Sequence, residues 1–232
     1  MAARKRNRTL TKQEFIQVTS RMIEEEGYES ISIRKIANRV GCDSATLYYH
    51  FGSLDYLIYL SSITFMEDYA QELLYIERIQ EKNIDRAIDS WHACVHTMYQ
   101  NPPLFYHLFY DGEANLFQDA IVEYYQLFPM QLQDKGDIFY GFLFASLFAG
   151  SSYKRNYYYF NRAANEHSID RESVDYLCAA VPGIAANMLH RCTTDYSDPV
   201  AIDKATKECT NYIDRVIESC RIDEHLPRIT LL

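Results

Sequence analysis

The apolar residues of this chain recur three or four positions apart along most of its length, which is the spacing of amphipathic helices. We find no alternation of the β type over a useful length, so the pattern predicts an all-α fold. After the amino-terminal region it predicts helices over residues 53–79, 84–100, 103–110, 114–133, 137–162, 171–192 and 199–220. Pro129 interrupts the fourth of these, and Pro182 followed by Gly183 predicts a kink in the sixth.

The first helix carries a clear amino-terminal signal. Thr11 and Glu14 have the spacing of a capping box, in which each side chain bonds the backbone amide of the other residue. Leu10 and Phe15 have the spacing of the hydrophobic staple that accompanies such a cap. Gly27 is predicted to end this helix.

Two short helices follow within the segment SIRKIANRVGCDSATLYYHF. Ser32 is placed to cap the first of them, and Gly41 ends it because glycine tolerates a positive φ. Asp43 or Ser44 is placed to cap the second. Helices joined by a tight glycine turn form a helix-turn-helix, whose second helix lies in the major groove of DNA. A plain helical hairpin without a DNA function has the same pattern.

The second helix of this pair has an inward and an outward side. Leu47 and Phe51, four residues apart, point inward, and a helical wheel places Ala45 and Tyr49 on the opposite side. The first turns of such a helix meet base edges. The residues predicted to bind DNA are Ser44, Ala45, Thr46, Tyr48, Tyr49 and His50, with Arg34 on the preceding helix and Arg4 and Arg6 in the amino-terminal segment.

The run GCDSATLYYHFGS resembles the pattern G-x-S-x-x-T-L-Y-x-H-F-x-S of the TetR/AcrR family of transcriptional regulators, and the resemblance extends over about residues 9–65. Asp43 stands where the family usually has serine, and both residue types cap helices. Leu54 is a larger departure. The family usually places a lysine there that grips a backbone phosphate, so that contact is missing.

The resemblance implies a domain order. It implies a three-helix helix-turn-helix head followed by a carboxy-terminal helical bundle that binds a small ligand and forms a homodimer. We therefore expect a basic arm over residues 1–10, the DNA-binding domain over 11–53, the ligand-binding and dimerisation domain over 54–222 and a tail over 223–232. The arm either neutralises phosphates or is a solvated tail.

The charge is distributed unevenly between these parts. The formal net charge is −9, but residues 1–55 hold nine Lys and Arg against seven Asp and Glu, or +2, and the remaining residues sum to −11. Attraction to DNA follows a local basic patch rather than the overall charge. An acidic body attached to a basic head is therefore compatible with DNA binding.

The predicted bundle is rich in aromatic residues. The chain has 20 Tyr and 12 Phe, and many of them fall between residues 105 and 160. For any single one, a place in the core or in a dimer interface is the simpler interpretation; as a set they favour a pocket for a hydrophobic or aromatic effector. The residues predicted to line it are Trp91, Phe105, Phe109, Tyr110, Phe117, Tyr125, Phe139 and Phe142.

Other chemistry has weaker support. His92 and His96 lie on one helical face, but two imidazoles alone do not make a metal site, so we expect no metal and no cofactor. Because there is no G-x-S-x-G elbow, Walker A loop or G-x-G-x-x-G motif, we expect no enzyme. The six cysteines never form C-x-x-C and are expected to be free thiols. Without a signal peptide or a membrane-spanning run, we expect a cytoplasmic protein.

These patterns together predict a ligand-responsive DNA-binding transcriptional regulator. Its expected partners are double-stranded DNA with a palindromic operator, a second copy of the chain and a small-molecule effector, and such families most often repress. The alternative is a co-regulator of the same fold that has lost DNA binding and acts through protein partners. Leu54 favours that alternative, whereas the basic arm, Arg34, Thr46 and Tyr49 favour DNA binding.

Overall fold

The computed structural model describes residues 11–129, 152–194 and 196–222. Its helices are α1 (Lys12–Glu26), α2 (Ile33–Val40), α3 (Ser44–Phe51), α4 (Leu54–Ser62), α5 (Glu67–Ile79), α6 (Asn83–Gln100), α7 (Pro102–Tyr106), α8 (Ala114–Leu127), α9 (Ser152–Asn165), α10 (Ser173–Arg191) and α11 (Pro199–Ser219). No strand lies among the described residues, and the all-α prediction is confirmed.

The described residues form two compact units. The first comprises residues 11–65 and 115–129, and the second comprises residues 66–114, 152–194 and 196–222. The first unit therefore contains α4 and almost all of α8 in addition to the helix-turn-helix predicted over residues 11–53.

Local caps determine where the helices of the first unit begin and end. Thr11 and Glu14 form the expected capping box at the start of α1. Ser32 caps α2 by accepting a hydrogen bond from the amide of Lys35, and Gly41 ends α2 in the left-handed region with φ of 84°. Helix α1 packs against α2 and α4, and α3 packs against both of these. The predicted three-helix head is present, with α4 as a fourth helix.

The long helix predicted to lead from the head into the bundle is interrupted, so that prediction is wrong. Helix α4 ends at Ser62, and the 3-10 segment Ile63–Met66 separates it from α5. The hydroxyl groups of Ser61 and Ser62 each donate to the carbonyl four residues earlier, at 2.7 Å. Such bonds compete with the helical backbone bonds and bend helices, and this accounts for the break.

The second unit is built on α6. Helices α5, α9 and α11 pack against α6, and α10 packs against α9 and α11. Leu73 and Ile76 of α5 form an apolar cluster with Ala93 of α6, and Tyr69 packs against it. Glu166 caps α6 by accepting a hydrogen bond from the amide of Asn83 at 2.8 Å.

Other helices differ from the predictions in their bounds. Helix α7 continues into a π-helical turn over His107–Asp111, and α8 ends at Leu127, before Pro129. Helix α10 continues through Pro182 without interruption, and the kink predicted there stays a prediction. Leu10 and residues 130–151 lie outside the described residues, as do the arm and the tail. Within the described part of the chain, no helix is both long and apolar enough to cross a bilayer.

All six cysteines are free thiols, as expected. Cys178 and Cys209 are buried, and the other four are half-buried. Burial raises the pKa of the Cys209 thiol to about 11 and that of the Cys178 thiol to about 12. These two thiols therefore stay protonated at neutral pH, which makes them poor nucleophiles.

Candidate nucleic-acid interface

A two-bond cap fixes the start of α3. The Asp43 carboxylate accepts a hydrogen bond from the amide of Thr46 at 2.8 Å and one from its hydroxyl at 2.9 Å. The backbone bond, followed by the hydroxyl bond, lowers the pKa of Asp43. Asp43 is therefore ionised at neutral pH and satisfies one of the unpaired amides at the first turn of the helix.

The outer face of α3 is aromatic. Tyr49 is 86% exposed and Tyr48 is 52% exposed, while Leu47 and Phe51 are buried beneath them. Ala45 is also exposed, and Ser44, Thr46 and His50 are half-buried. The inward and outward sides are those that the helical wheel predicted. An aromatic ring as exposed as that of Tyr49 adds nothing to the core and is available to a partner.

His50 has a second environment. Its ring lies 5.4 Å, between centroids, from the ring of Phe15 and 5.4 Å from that of Tyr49. The imidazole therefore connects the core of the head to the exposed Tyr49 ring. This geometry gives His50 a packing role, and its contact with DNA stays a prediction.

The basic residues of α2 fall into two groups. Arg39 pairs with Glu25 at 3.4 Å and with Glu26 at 2.5 Å, and Lys35 pairs with Glu26 at 3.5 Å. Arg34 is exposed, and it forms no ion pair within the described residues. Arg34 is thus the α2 cation whose charge is not already matched by α1. Arg4 and Arg6 lie outside the described residues.

The start of α4 has no basic side chain. Leu54 is its first residue and is half-buried, and the next residue, Asp55, is an exposed acid. The hydroxyl of Ser53 caps the helix by accepting from the amide of Tyr56 at 3.1 Å. The helix start is intact, but the side chain that the family resemblance implies for gripping phosphate is absent.

Sequence reasoning missed the attachment of α8 to this head. Glu123 accepts a hydrogen bond from the Lys12 ammonium at 2.5 Å and one from the Tyr56 hydroxyl at 2.6 Å. The Tyr59 ring also packs edge to face on the ring of Phe117, with centroids 5.8 Å apart. No local pattern signals these contacts, because the paired residues are far apart in the chain.

The two bonds change the acidity of the groups that they join. Partial burial alone raises the pKa of Glu123, but the bonds from Lys12 and Tyr56 outweigh it and hold that pKa below its ordinary value. Burial, followed by the bond to Glu123, raises the pKa of Tyr56 well above its ordinary value. At neutral pH Glu123 is therefore an anion between a cation and a neutral phenol.

The residues predicted to line an effector pocket are divided between the two units. In the second unit the Trp91 indole donates to the buried Asn156 side chain at 2.8 Å, and the rings of Phe105 and Phe109 stack with centroids 5.8 Å apart. Tyr110, in the same unit, donates to the Met98 sulfur at 3.8 Å. Phe117 and Tyr125 belong to the first unit, and Phe139 and Phe142 lie outside the described residues.

One of the two histidines on α6 contacts an acid on a neighbouring helix. His92 Nε2 lies 2.6 Å from a carboxylate oxygen of Asp214 on α11, and His96 is exposed. Among the described residues, no three His, Cys, Asp or Glu side chains are grouped closely enough to hold a metal ion. The His92 contact is thus a bond between two helices.

The amino-terminal head matches the model of a known protein family. Residues 15–58 match the model of the family described as "Bacterial regulatory proteins, tetR family". This range runs from α1 into α4 and includes the whole helix-turn-helix. A search of the curated proteins found no match.

Solved structures of bacterial regulators share the fold. The ketosteroid transcriptional regulator of Mycobacterium tuberculosis is 14% identical with a TM-score of 0.53, over 93% of this chain and 97% of that protein. SmeT, repressor of the Stenotrophomonas maltophilia multidrug efflux pump SmeDEF, is 12% identical with a TM-score of 0.53, over 97% and 96%. A TetR/AcrR regulator from Thermobifida fusca is 14% identical with a TM-score of 0.54, over 94% and 98%.

Proposed function

We propose that this chain is a transcriptional regulator of the TetR/AcrR family, a cytoplasmic repressor that binds a palindromic operator as a homodimer and is released by a small hydrophobic or aromatic effector. The match of residues 15–58 to the tetR family model and the fold shared with solved regulators support a DNA-binding transcriptional regulator. Repression, dimerisation and the effector are the proposed refinements.

The proposal rests on one observation. Tyr49 is exposed on α3, and two hydrogen bonds to Asp43 fix the start of this helix. A tyrosine offers a ring for contact with thymine methyl groups and a hydroxyl for base edges, and α3 begins with the small residues Ser44 and Ala45 that allow close approach. Arg34 adds one cation on α2 that no acid of the described residues neutralises. Phosphate contacts of this kind position a head, and base contacts specify the site.

Dimerisation is supported by the small size of the head and by a helix face that none of the described residues covers. One head of four short helices contacts few base pairs, so a second head on a two-fold axis is needed for a specific site. On α10, the exposed Tyr176, Ala179 and Gly183 fall on one face, and no atom of the described residues lies within 4 Å of the position that a Cβ would take at Gly183. Small residues beside an exposed ring allow close packing of a helix from a second copy.

The effector is proposed from the aromatic residues of the second unit. Trp91, Phe105 and Phe109 supply apolar ring surface, and the bonded pair of Trp91 and Asn156 supplies a polar group within it. Sites for small molecules combine apolar walls with a few fixed polar groups. A ligand that binds better to one arrangement of the dimer shifts the population away from the one that fits the operator.

A second candidate is a co-regulator that no longer binds DNA. Leu54 and Asp55 favour it, because the first turn of α4 presents an apolar and an acidic side chain where the family usually has a lysine. Such a protein would act through a protein partner and would show no preference among duplexes.

Selection of duplexes by the purified chain distinguishes the two candidates. Random duplexes are selected at moderate salt, and the enriched sequences are then titrated at several salt concentrations. We expect an inverted repeat with half-sites about one helical turn or slightly more apart and an affinity that falls steeply with salt as counterions are released. Enrichment of no inverted repeat would favour the co-regulator.

A further inference from the structure

We infer that Glu123 is a positioning residue for DNA binding, which holds α1 and α4 in the arrangement that presents α3 to the operator. The inference rests on the proposed function, because it concerns the same DNA-binding head. It adds a side chain on a distant helix that touches no DNA itself.

One carboxylate joins two helices of the head to α8. One oxygen of Glu123 accepts from Lys12 Nζ, at the first residue of α1, and the other accepts from the hydroxyl of Tyr56, in the first turn of α4. We name the two hydrogen bonds that Glu123 accepts from Lys12 and Tyr56 the carboxylate clasp. The Lys12 and Glu123 side chains are 31% and 24% exposed, so water screens their attraction less than that of a surface pair.

The carboxylate clasp also reaches the recognition helix. The Lys12 ammonium lies 5.6 Å from the centroid of the Phe51 ring, within the range of a cation–π contact. Phe51 is the last residue of α3, and its buried ring packs edge to face on the ring of Phe15 at 5.7 Å. Lys12 therefore contacts the last residue of α3, and its bond to Glu123 holds the Lys12 side chain in that position.

Further contacts fix α8 on the same side of the head. The Gln13 side chain donates to the carbonyl of Leu127, at the end of α8, at 3.4 Å. The Phe117 ring packs on Tyr59 nearer the start of α8. Helix α8 is thus held to the head at both ends and in the middle, with Glu123 as its ionic contact.

The position of α8 in the chain gives the carboxylate clasp a regulatory consequence. The chain passes from the second unit into the first at the start of α8, just after the π-helical turn His107–Asp111. A displacement of α8 along its axis would pull on Lys12 and Tyr56 together. In the described part of the chain, the backbone therefore passes between the two units at two places, the broken α4–α5 connection and the start of α8.

The test compares Glu123→Gln with Asp119→Asn. Both changes remove one negative charge from α8, and Asp119 lies one turn earlier, exposed, with no hydrogen bond or ion pair among the described residues. The affinity of the intact chain is measured for a selected operator and for a scrambled duplex, and the melting temperature checks folding. Tyr56→Phe, which removes one bond only, serves if Glu123→Gln does not fold.

We expect Glu123→Gln to weaken operator binding about fivefold relative to Asp119→Asn, with affinity for the scrambled duplex unchanged, since a lost charge-assisted bond misplaces α3 without removing a phosphate contact. We expect Tyr56→Phe to weaken it less, and the double variant to lose less than the product of the two separate losses.

Two results would overturn this inference and leave the proposed function standing. In one, the wild-type chain distinguishes the two duplexes, but Glu123→Gln and Asp119→Asn bind the operator equally well. In the other, Glu123→Gln binds both duplexes more tightly, as a released Lys12 would do by contacting phosphate. A wild-type chain that does not distinguish the duplexes would overturn the proposed function and this inference with it.

Discussion

The Asp43 carboxylate holds both the amide and the hydroxyl of Thr46 at the start of α3. The family usually has serine at residue 43, and a carboxylate here makes two bonds to the same residue. This departure from the family pattern therefore preserves the cap. Since the Thr46 hydroxyl already donates to Asp43, Thr46→Ala would remove a cap bond together with any base contact, and Tyr49 is the clearer probe of recognition.

Tyr49→Ala is expected to weaken operator binding about tenfold and to leave a scrambled duplex unaffected, because base contacts carry sequence information. The comparison uses competition between the two duplexes at constant salt. Tyr75→Ala, which removes a 61% exposed tyrosine on α5, is the matched control and should bind as wild type. An equal loss of affinity for both duplexes would indicate that Tyr49 contacts the DNA backbone rather than the bases.

Arg34→Ala should behave differently. Its charge is expected to contact phosphate, so the variant should lose affinity for both duplexes alike and reduce the slope of log affinity against log salt by about one. Loss of operator binding alone would make Arg34 a base-reading residue instead.

Leu54→Lys is expected to tighten binding to all duplexes without altering sequence preference. A lysine at the first residue of α4 would add the cation that this position lacks, and we expect that cation to contact a backbone phosphate. Leu54→Gln is the uncharged control and should bind as wild type. If Leu54→Lys abolished binding, the start of α4 would not face the DNA backbone.

Trp91→Phe is expected to lower the free energy of unfolding by about 1–2 kcal/mol through loss of the buried bond to Asn156. Chemical denaturation measures this, and Asn156→Ala with the double variant gives the coupling of the pair. Operator affinity of the unliganded chain should not change, since both residues lie in the second unit. Additive losses would indicate that the bond contributes nothing.

The carboxylate clasp should make stability depend on pH. Because the pKa of Glu123 is lowered in the folded state, its contribution is fully present above the unfolded pKa and is lost as the pH falls through the folded pKa. Lys12 and Tyr56 bond to Glu123, and the negative charge of Asp119 acts on Tyr56. The stability difference between wild type and Glu123→Gln should be constant above the ordinary pKa of a glutamate, about 4.3, and should shrink as the pH falls below it. A difference that does not change with pH would exclude the ion pair as its source.

Sequence alone predicted the head well because its signals are local. Thr11, Ser32, Asp43 and Gly41 each act within a few residues, through a cap or a left-handed turn, and the helix-turn-helix follows from them. The outward side of α3 followed from the helical repeat and agrees with the exposure of Tyr49.

The contacts that were missed depend on distant or competing groups. The break after α4 arises from the Ser61 and Ser62 hydroxyls, whose bonds to the backbone leave the apolar pattern unchanged. The carboxylate clasp joins Lys12 to Glu123 across 111 positions, and no periodicity encodes such a pair. Pairing of Arg39 and Lys35 with the acids of α1 likewise could not be derived from the spacing of charges alone.

The most direct test of sequence-specific operator binding is a titration of the purified chain with its selected operator and a scrambled duplex at physiological salt, with the mass of each complex measured. We expect two chains, or a multiple of two, on the operator and a preference of about 1,000-fold or more over the scrambled duplex, as in specific protein–DNA complexes. Equal affinity for both duplexes, or binding of a single chain, would contradict the account.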